Sequence, residues 1–278
     1  MLRHRLSISS WSLHRCLGPL RWTVWDEEKR TQTVSIQDQP WELELVDLPK
    51  EAAARGLAYL ELCHFHFPSR EEAYLAELRK AFADSGVQFH TLLVDYGDIA
   101  SPDPVRRAAD LEYLKTWIDT AKAAGAASVR IVAGEQPADD AEAIDRSVSA
   151  LQELREYAAG TGVAVVTENF RELTSTVSSW SRIVEGAAEG PFATIVDFGN
   201  LAADEKEAGI RYGTRFAHSI HAKPEYTADG EIKEERFLEL LGVLEETDCQ
   251  APVSIIYDRE GDMWEGIERI KRVMLEGS

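Results

Sequence analysis

The stretch Ala158-Ala159-Gly160-Thr161-Gly162-Val163-Ala164-Val165-Val166-Thr167-Glu168-Asn169 contains a helix end, a turn, a strand and an acidic strand terminus in succession. A glycine just past a helix supplies the left-handed residue that stops it, and a short valine-rich run bounded by turn residues has the pattern of a buried strand. The same unit recurs on both sides. Strand patterns fall at Leu6–Leu13, Ala58–Phe65, Gln88–Val94, Ser128–Val132, Ala164–Glu168, Ala193–Asp197, Ala217–His221 and Val253–Tyr257. Helical patterns lie between them at Leu43–Arg55, Arg70–Ser85, Pro104–Ala124, Asp139–Gly160, Thr174–Ala188, Leu201–Tyr212 and Glu234–Glu246, and Met263–Leu275 closes the chain. Gly56, Gly86, Gly125 and Gly162 punctuate several of the helix-to-strand joints.

Strands alternating with helices and no break in composition predict one α/β domain over residues 1–278, a (β/α)8 TIM barrel. A doubly wound open sheet is the competing architecture. It is disfavoured in its dinucleotide-binding form because no glycine-rich phosphate fingerprint follows the first strand. One connection is anomalous: about 30 residues, at about 14–43, separate the first strand from its helix, well beyond an ordinary βα loop. This segment carries Trp22, Trp25 and Trp41 among Arg21, Asp26, Glu27 and Lys29. Such a loop lies on the catalytic face of a barrel. It is expected either to wall a substrate site, with Trp25 among the contacts, or to pack its rings on the rim or an oligomer interface.

The chain has 278 residues, 44% apolar and 28% charged, and a formal net charge of −19. That charge repels a phosphate backbone, and the basic residues are scattered along helices, so nucleic-acid binding is not expected. Cys16, Cys63 and Cys249 lack zinc-finger spacing and are odd in number, which argues against a disulfide scaffold and fits a reducing cytoplasm. No apolar run suits a signal peptide or approaches the ~18 residues that cross a membrane.

Glu168, Asp197 and His221 each end an apolar run on consecutive strands five, six and seven. A single acidic strand end often caps a helix; three adjacent ones form a candidate metal site. Hard divalent cations prefer carboxylate oxygens with one or two imidazoles. His64 and His66 alternate at the end of the second strand and are expected either to face the mouth or to be satisfied rim residues.

The segments Thr167-Glu168-Asn169-Phe170, Asp197-Phe198-Gly199-Asn200 and His221-Ala222-Lys223 resemble the xylose isomerase-like TIM-barrel superfamily of sugar isomerases and epimerases, also called the sugar phosphate isomerase/epimerase family. The stretch from Leu111 to Gly134 is similar to that family's third helix and fourth strand. The resemblance implies that Glu168, Asp197 and His221 are three of four ligands to Mn2+ or Mg2+, with Zn2+ as an alternative. It also implies a glutamate on the last strand, as fourth ligand and second proton carrier. This chain has Ile256 there.

Three readings follow. Asp258, two residues on and on the same strand face, takes over as ligand or catalytic group; Glu135 or Glu61 supplies the oxygen; or the site is degenerate and the protein is a non-catalytic sugar-binding relative. If it is an enzyme, the resemblance implies metal-dependent isomerisation or epimerisation of a sugar, sugar phosphate or polyol, with Glu168 as base. Asn200, Lys223 and Arg259 are the further candidates for substrate contact. The three-zinc abasic-site endonucleases of the superfamily need a histidine where Asn200 stands. A homodimer is compatible with the fold.

Overall fold

The computed structural model describes residues 2–187 and 189–277. Eight parallel strands close into a barrel: β1 (Leu6–Ser9), β4 (Tyr59–Cys63), β5 (Gln88–Val94), β6 (Ser128–Ile131), β7 (Ala164–Glu168), β8 (Thr194–Asp197), β9 (Ala217–Ala222) and β10 (Val253–Ile255). Each pairs with its sequence neighbour, and β1 closes the ring by pairing with β10 through Leu6, Ser7 and Ile8. Helices α1 (Leu48–Ala54), α2 (Glu72–Ser85), α3 (Pro104–Ala124), α4 (Ala141–Ala158), α5 (Val177–Glu185), α6 (Lys206–Gly213), α7 (Glu234–Glu246) and α8 (Met263–Glu276) follow the strands.

Strand alternation divides the apolar residues between two cores. Val165, Val196 and Ile220 face outward and join the large cluster shared with the helices. Val166, Ile195 and Leu93 face inward and form a smaller cluster with Cys63 and Phe65. The interior also holds buried Glu61, Arg130, Glu168, Asp197 and His221. Charged groups are rarely so deep unless paired or functional.

The anomalous first connection contains a two-stranded antiparallel hairpin, β2 (Leu20–Asp26) and β3 (Thr31–Gln37). Trp25 and Thr23 share one face of β2, while Leu20 and Trp22 share the other. Leu20 is buried in the inner cluster and Trp22 packs against it. On the opposite face, Thr23 Oγ1 pairs with Tyr113 Oη at 2.9 Å and Gln32 Nε2 donates to Asp110 at 3.1 Å, tying the hairpin to α3.

Several ends differ from the sequence patterns. β1 stops at Ser9 because Ser10–Leu13 turns into a 3-10 helix, whose second residue, Trp11, donates its N–H to Ser9 Oγ. α1 begins at Leu48, beside Pro49, whose fixed φ suits a first helical turn. The expected fifth helix ends at Glu185; Ala188 lies outside the described residues.

Candidate active site

The ring order brings the carboxyl ends of β7, β8 and β9 side by side. Glu168, Asp197 and His221 are 3%, 5% and 5% exposed, so their polar ends must find partners inside the mouth. Each offers one ligand atom, and these atoms lie within 4.8 Å of one another. His221 Nδ1 is 3.4 Å from Glu168 Oε1 and 3.5 Å from Asp197 Oδ2. Ligands about 2.1 Å from a shared ion at right angles stand about 3 Å apart, so small inward movements would suit one cation. Among the described residues this is the one cluster with such spacing.

Glu61 lies behind the imidazole. Its Oε2 is 2.7 Å from His221 Nε2 and accepts a 2.7 Å hydrogen bond from Ser254 Oγ. A carboxylate behind a ligating histidine fixes the ring and raises its basicity. Burial alone would push the Glu61 carboxyl up, but the facing imidazolium overrides it and holds the group at about 2. Burial alone would lower His221, whereas the Glu61 and Glu168 charges carry it well above the usual histidine range. The site therefore favours positive charge, whether a proton on the ring or a metal ion beside it. Two carboxylates, one imidazole and this negative potential fit a hard divalent cation.

Arg130, buried on β6, sets the other side of Glu168. Its Nε lies 2.9 Å from Glu168 Oε2, and its remaining nitrogens reach Asp95 and the Val94 carbonyl. The Glu168 contact is ionic rather than well aligned, leaving Oε2 without a hydrogen-bond donor. The end of β8 is clamped by Asn169, whose amide accepts from Asp197 N at 2.7 Å and donates to Asp197 O at 2.9 Å. Gly199 admits both walls of the site: an added Cβ would stand 2.8 Å from Lys223 Cδ and 3.0 Å from Asp197 Oδ1.

A cavity of about 250 Å³ opens over this cluster. Trp11, Trp22, Phe170 and Ile256 supply its apolar surface, and Asp95, Arg130, Arg171, Asn200, Lys223 and Asp258 line it with the metal-type trio. Trp22 packs on Phe65 with ring centres 4.2 Å apart and planes tilted by 38°, which sets the ring over the mouth. A volume of this size suits a small polar ligand.

A family model described as xylose isomerase-like TIM barrel matches residues 49–271. The chain belongs to that family. Solved structures with the same fold include an L-ribulose 3-epimerase, with TM-score 0.70 and 17% identity over 98% of this chain and 94% of that one. A probable 3-DHS dehydratase of petrobactin synthesis from Bacillus anthracis has TM-score 0.70 and 14% identity over 96% and 97% of the two chains. A D-allulose 3-epimerase from Methylomonas sp. has TM-score 0.68 and 15% identity over 99% and 97%. Identities this low establish a shared fold. No curated protein matches the chain.

Within this xylose isomerase-like barrel, Asp258 lines the cavity but stands outside the trio, and its Oδ2 accepts a 2.9 Å bond from Lys223 Nζ. Burial would raise its carboxyl, yet the Lys223 hydrogen bond and charge bring it below the usual value. Glu135 is half exposed and pairs with Arg106 at 3.3 Å. Glu61 backs the histidine rather than joining the oxygens in front of it. Asn200 and Lys223 line the cavity, whereas His64, His66, Trp25 and Arg259 do not.

The histidines leave the cavity because strand alternation ends at Cys63. His64–His66 forms a 3-10 turn in which His64 Nδ1 accepts from Asp95 N and His66 Nδ1 pairs with Ser10 Oγ. Arg259 lies over Tyr226 at 5.0 Å and lines a separate rim hollow with His14 and Glu260. Sequence reasoning did not find Arg130, Asp95, Arg171 or Trp11. Arg130 had left a signal, a lone charge inside the apolar run Ser128–Ile131.

Proposed function

We propose that this protein is a metal-dependent isomerase-type enzyme that moves a proton beside the carbonyl of a sugar, polyol-derived ketone or related hydroxy-ketone. The supporting observation is the convergence of Glu168, Asp197 and His221 within 4.8 Å, with Glu61 bonded behind the imidazole. Glu168, Asp197 and His221 would hold Mn2+ or Mg2+. When bound, such an ion polarises neighbouring hydroxyl and carbonyl oxygens as a Lewis acid.

The protein's own groups have separable tasks. Glu168 takes the proton from the carbon beside the carbonyl, with Arg130 and His221 fixing its two oxygens from either side. Trp11 and Trp22 cover the apolar face of the ligand and exclude water. Ile256 stands at the end of the strand three places round the ring from β7, across the mouth from Glu168. It can neither ligate nor exchange a proton, so a second glutamate base is lacking at that position. Chemistry needing one base on one face, a 1,2-isomerisation or a dehydration, is favoured over two-glutamate epimerisation. The Asp258–Lys223 pair is the reserve proton carrier on that wall.

The same apolar Ile256 favours the second reading, a non-catalytic sugar-binding relative. Solvent exchange separates the two. Ketoses and aldoses incubated with Mn2+-loaded protein in deuterium oxide should gain deuterium beside the carbonyl, detected by proton NMR. E168Q should slow that exchange at least ~100-fold, as expected for loss of a general base. Exchange absent from the wild-type protein while these ligands still bind would support the binding protein instead.

A further inference from the structure

The cavity wall has three cationic side chains besides His221, and their charges are not equally matched. Arg130 is paired with Asp95 and Glu168, and Lys223 with Asp258. Arg171 lines the same cavity, and among the described residues its guanidinium makes no ion pair or hydrogen bond; it lies 4.9 Å from the Phe170 ring centre. A cation–π contact of this kind orients the group without neutralising it.

Its backbone is equally unusual. Arg171 has φ 73° and ψ 176°, a region that essentially only glycine occupies without strain. Thr174, fully buried, holds the turn in place: its Oγ1 accepts from Phe170 N at 2.8 Å and donates to Phe170 O at 2.9 Å. Strain at a non-glycine residue beside a cavity points to a functional constraint.

We propose that Arg171 grips an anionic group of the substrate, a carboxylate or a phosphate, and so restricts the cavity to acidic or phosphorylated hydroxy-ketones. This rests on the reading of the cavity as a sugar-type site. With a divalent cation balancing Glu168 and Asp197, Arg130 held by Asp95 and Lys223 by Asp258, Arg171 is, among the described residues, the cation of this wall without a carboxylate against it, and its planar guanidinium can offer donors to two oxygens at once.

Trp11 and Trp22 line the cavity, so intrinsic tryptophan fluorescence reports binding to the full-length, Mn2+-loaded protein. The probes are D-fructose, D-fructose 6-phosphate, 5-keto-D-gluconate and inorganic phosphate. At least one charged keto-sugar should bind ~10-fold or more tightly than D-fructose, and whichever does so identifies phosphate or carboxylate as the recognised group. R171G, which suits the local backbone, should cost the charged keto-sugar at least ~10-fold more affinity than it costs D-fructose, while R171K retains part of the preference. Equal binding of neutral and charged sugars, or equal losses for both in R171G, overturns the anion site but leaves the sugar reading standing. Arg171-dependent binding of the phosphate ion without binding of any of the three keto-sugars keeps the anion site and removes the sugar reading. Failure of all four probes to bind overturns both.

Discussion

Replacing Glu61 by glutamine would keep an oxygen near His221 Nε2 and remove the negative charge behind the ring. Partners of this kind are worth about 10- to 100-fold in metal affinity, so calorimetric titration of E61Q with Mn2+ should show a loss in that range. Unchanged affinity would make Glu61 a packing residue only. Ile256 offers the complementary change: I256E places a carboxylate on the greasy wall, and Mn2+ should bind more tightly if that wall borders the cation. The strained turn gives a third expectation. R171G removes a backbone conformation costing about 1–3 kcal/mol, so its thermal midpoint should rise by a few degrees even though binding suffers. A lower midpoint by circular dichroism would mean that the Arg171 side chain, not its backbone, dominates stability there.

Elements whose patterns are local could be read directly from the chain. Gln88–Val94, Ala164–Glu168, Pro104–Ala124 and Glu234–Glu246 have the same limits in the sequence and in the fold. Their ends are set by glycines, by Pro104 at a helix start, or by charged termini. The three strand-end groups Glu168, Asp197 and His221 were legible for the same reason: parity and position along a strand fix both face and depth. What was not legible depends on long-range contacts. The hairpin β2–β3 forms because Thr23 and Gln32 meet α3 and Trp22 meets Phe65, none of which periodicity reveals. His64 and His66 turned away because alternation stops where the 3-10 turn begins. The hairpin carries its own expectation: W22A should weaken binding of cavity ligands and reduce the fluorescence change they cause. Equal affinity in W22A would place the ligand away from that wall.

At the scale of the whole molecule, buried neutral histidines couple stability to pH. Burial lowers His64 from 6.5 to about 4, His66 to about 3 and His218 to about 4. The unfolded chain therefore binds more protons than the folded one below pH 6.5, and stability falls as the pH drops from there toward 4. His221 moves the opposite way; its contribution is complete below 6.5 and fades only as pH rises through its raised folded value, so it stays constant across the acid window. Urea midpoints should thus decline steadily between pH 6.5 and 4, since every tenfold weakening of a histidine's proton affinity on folding corresponds to about 1.4 kcal/mol, and a flat profile would contradict these buried states. The barrel's central proposition is that staves β7, β8 and β9 share one cation. Electron paramagnetic resonance of free Mn2+ during titration of metal-stripped protein tests it most directly: wild-type protein should bind one ion per chain and D197A/H221A none, whereas identical curves for the two proteins would contradict the site.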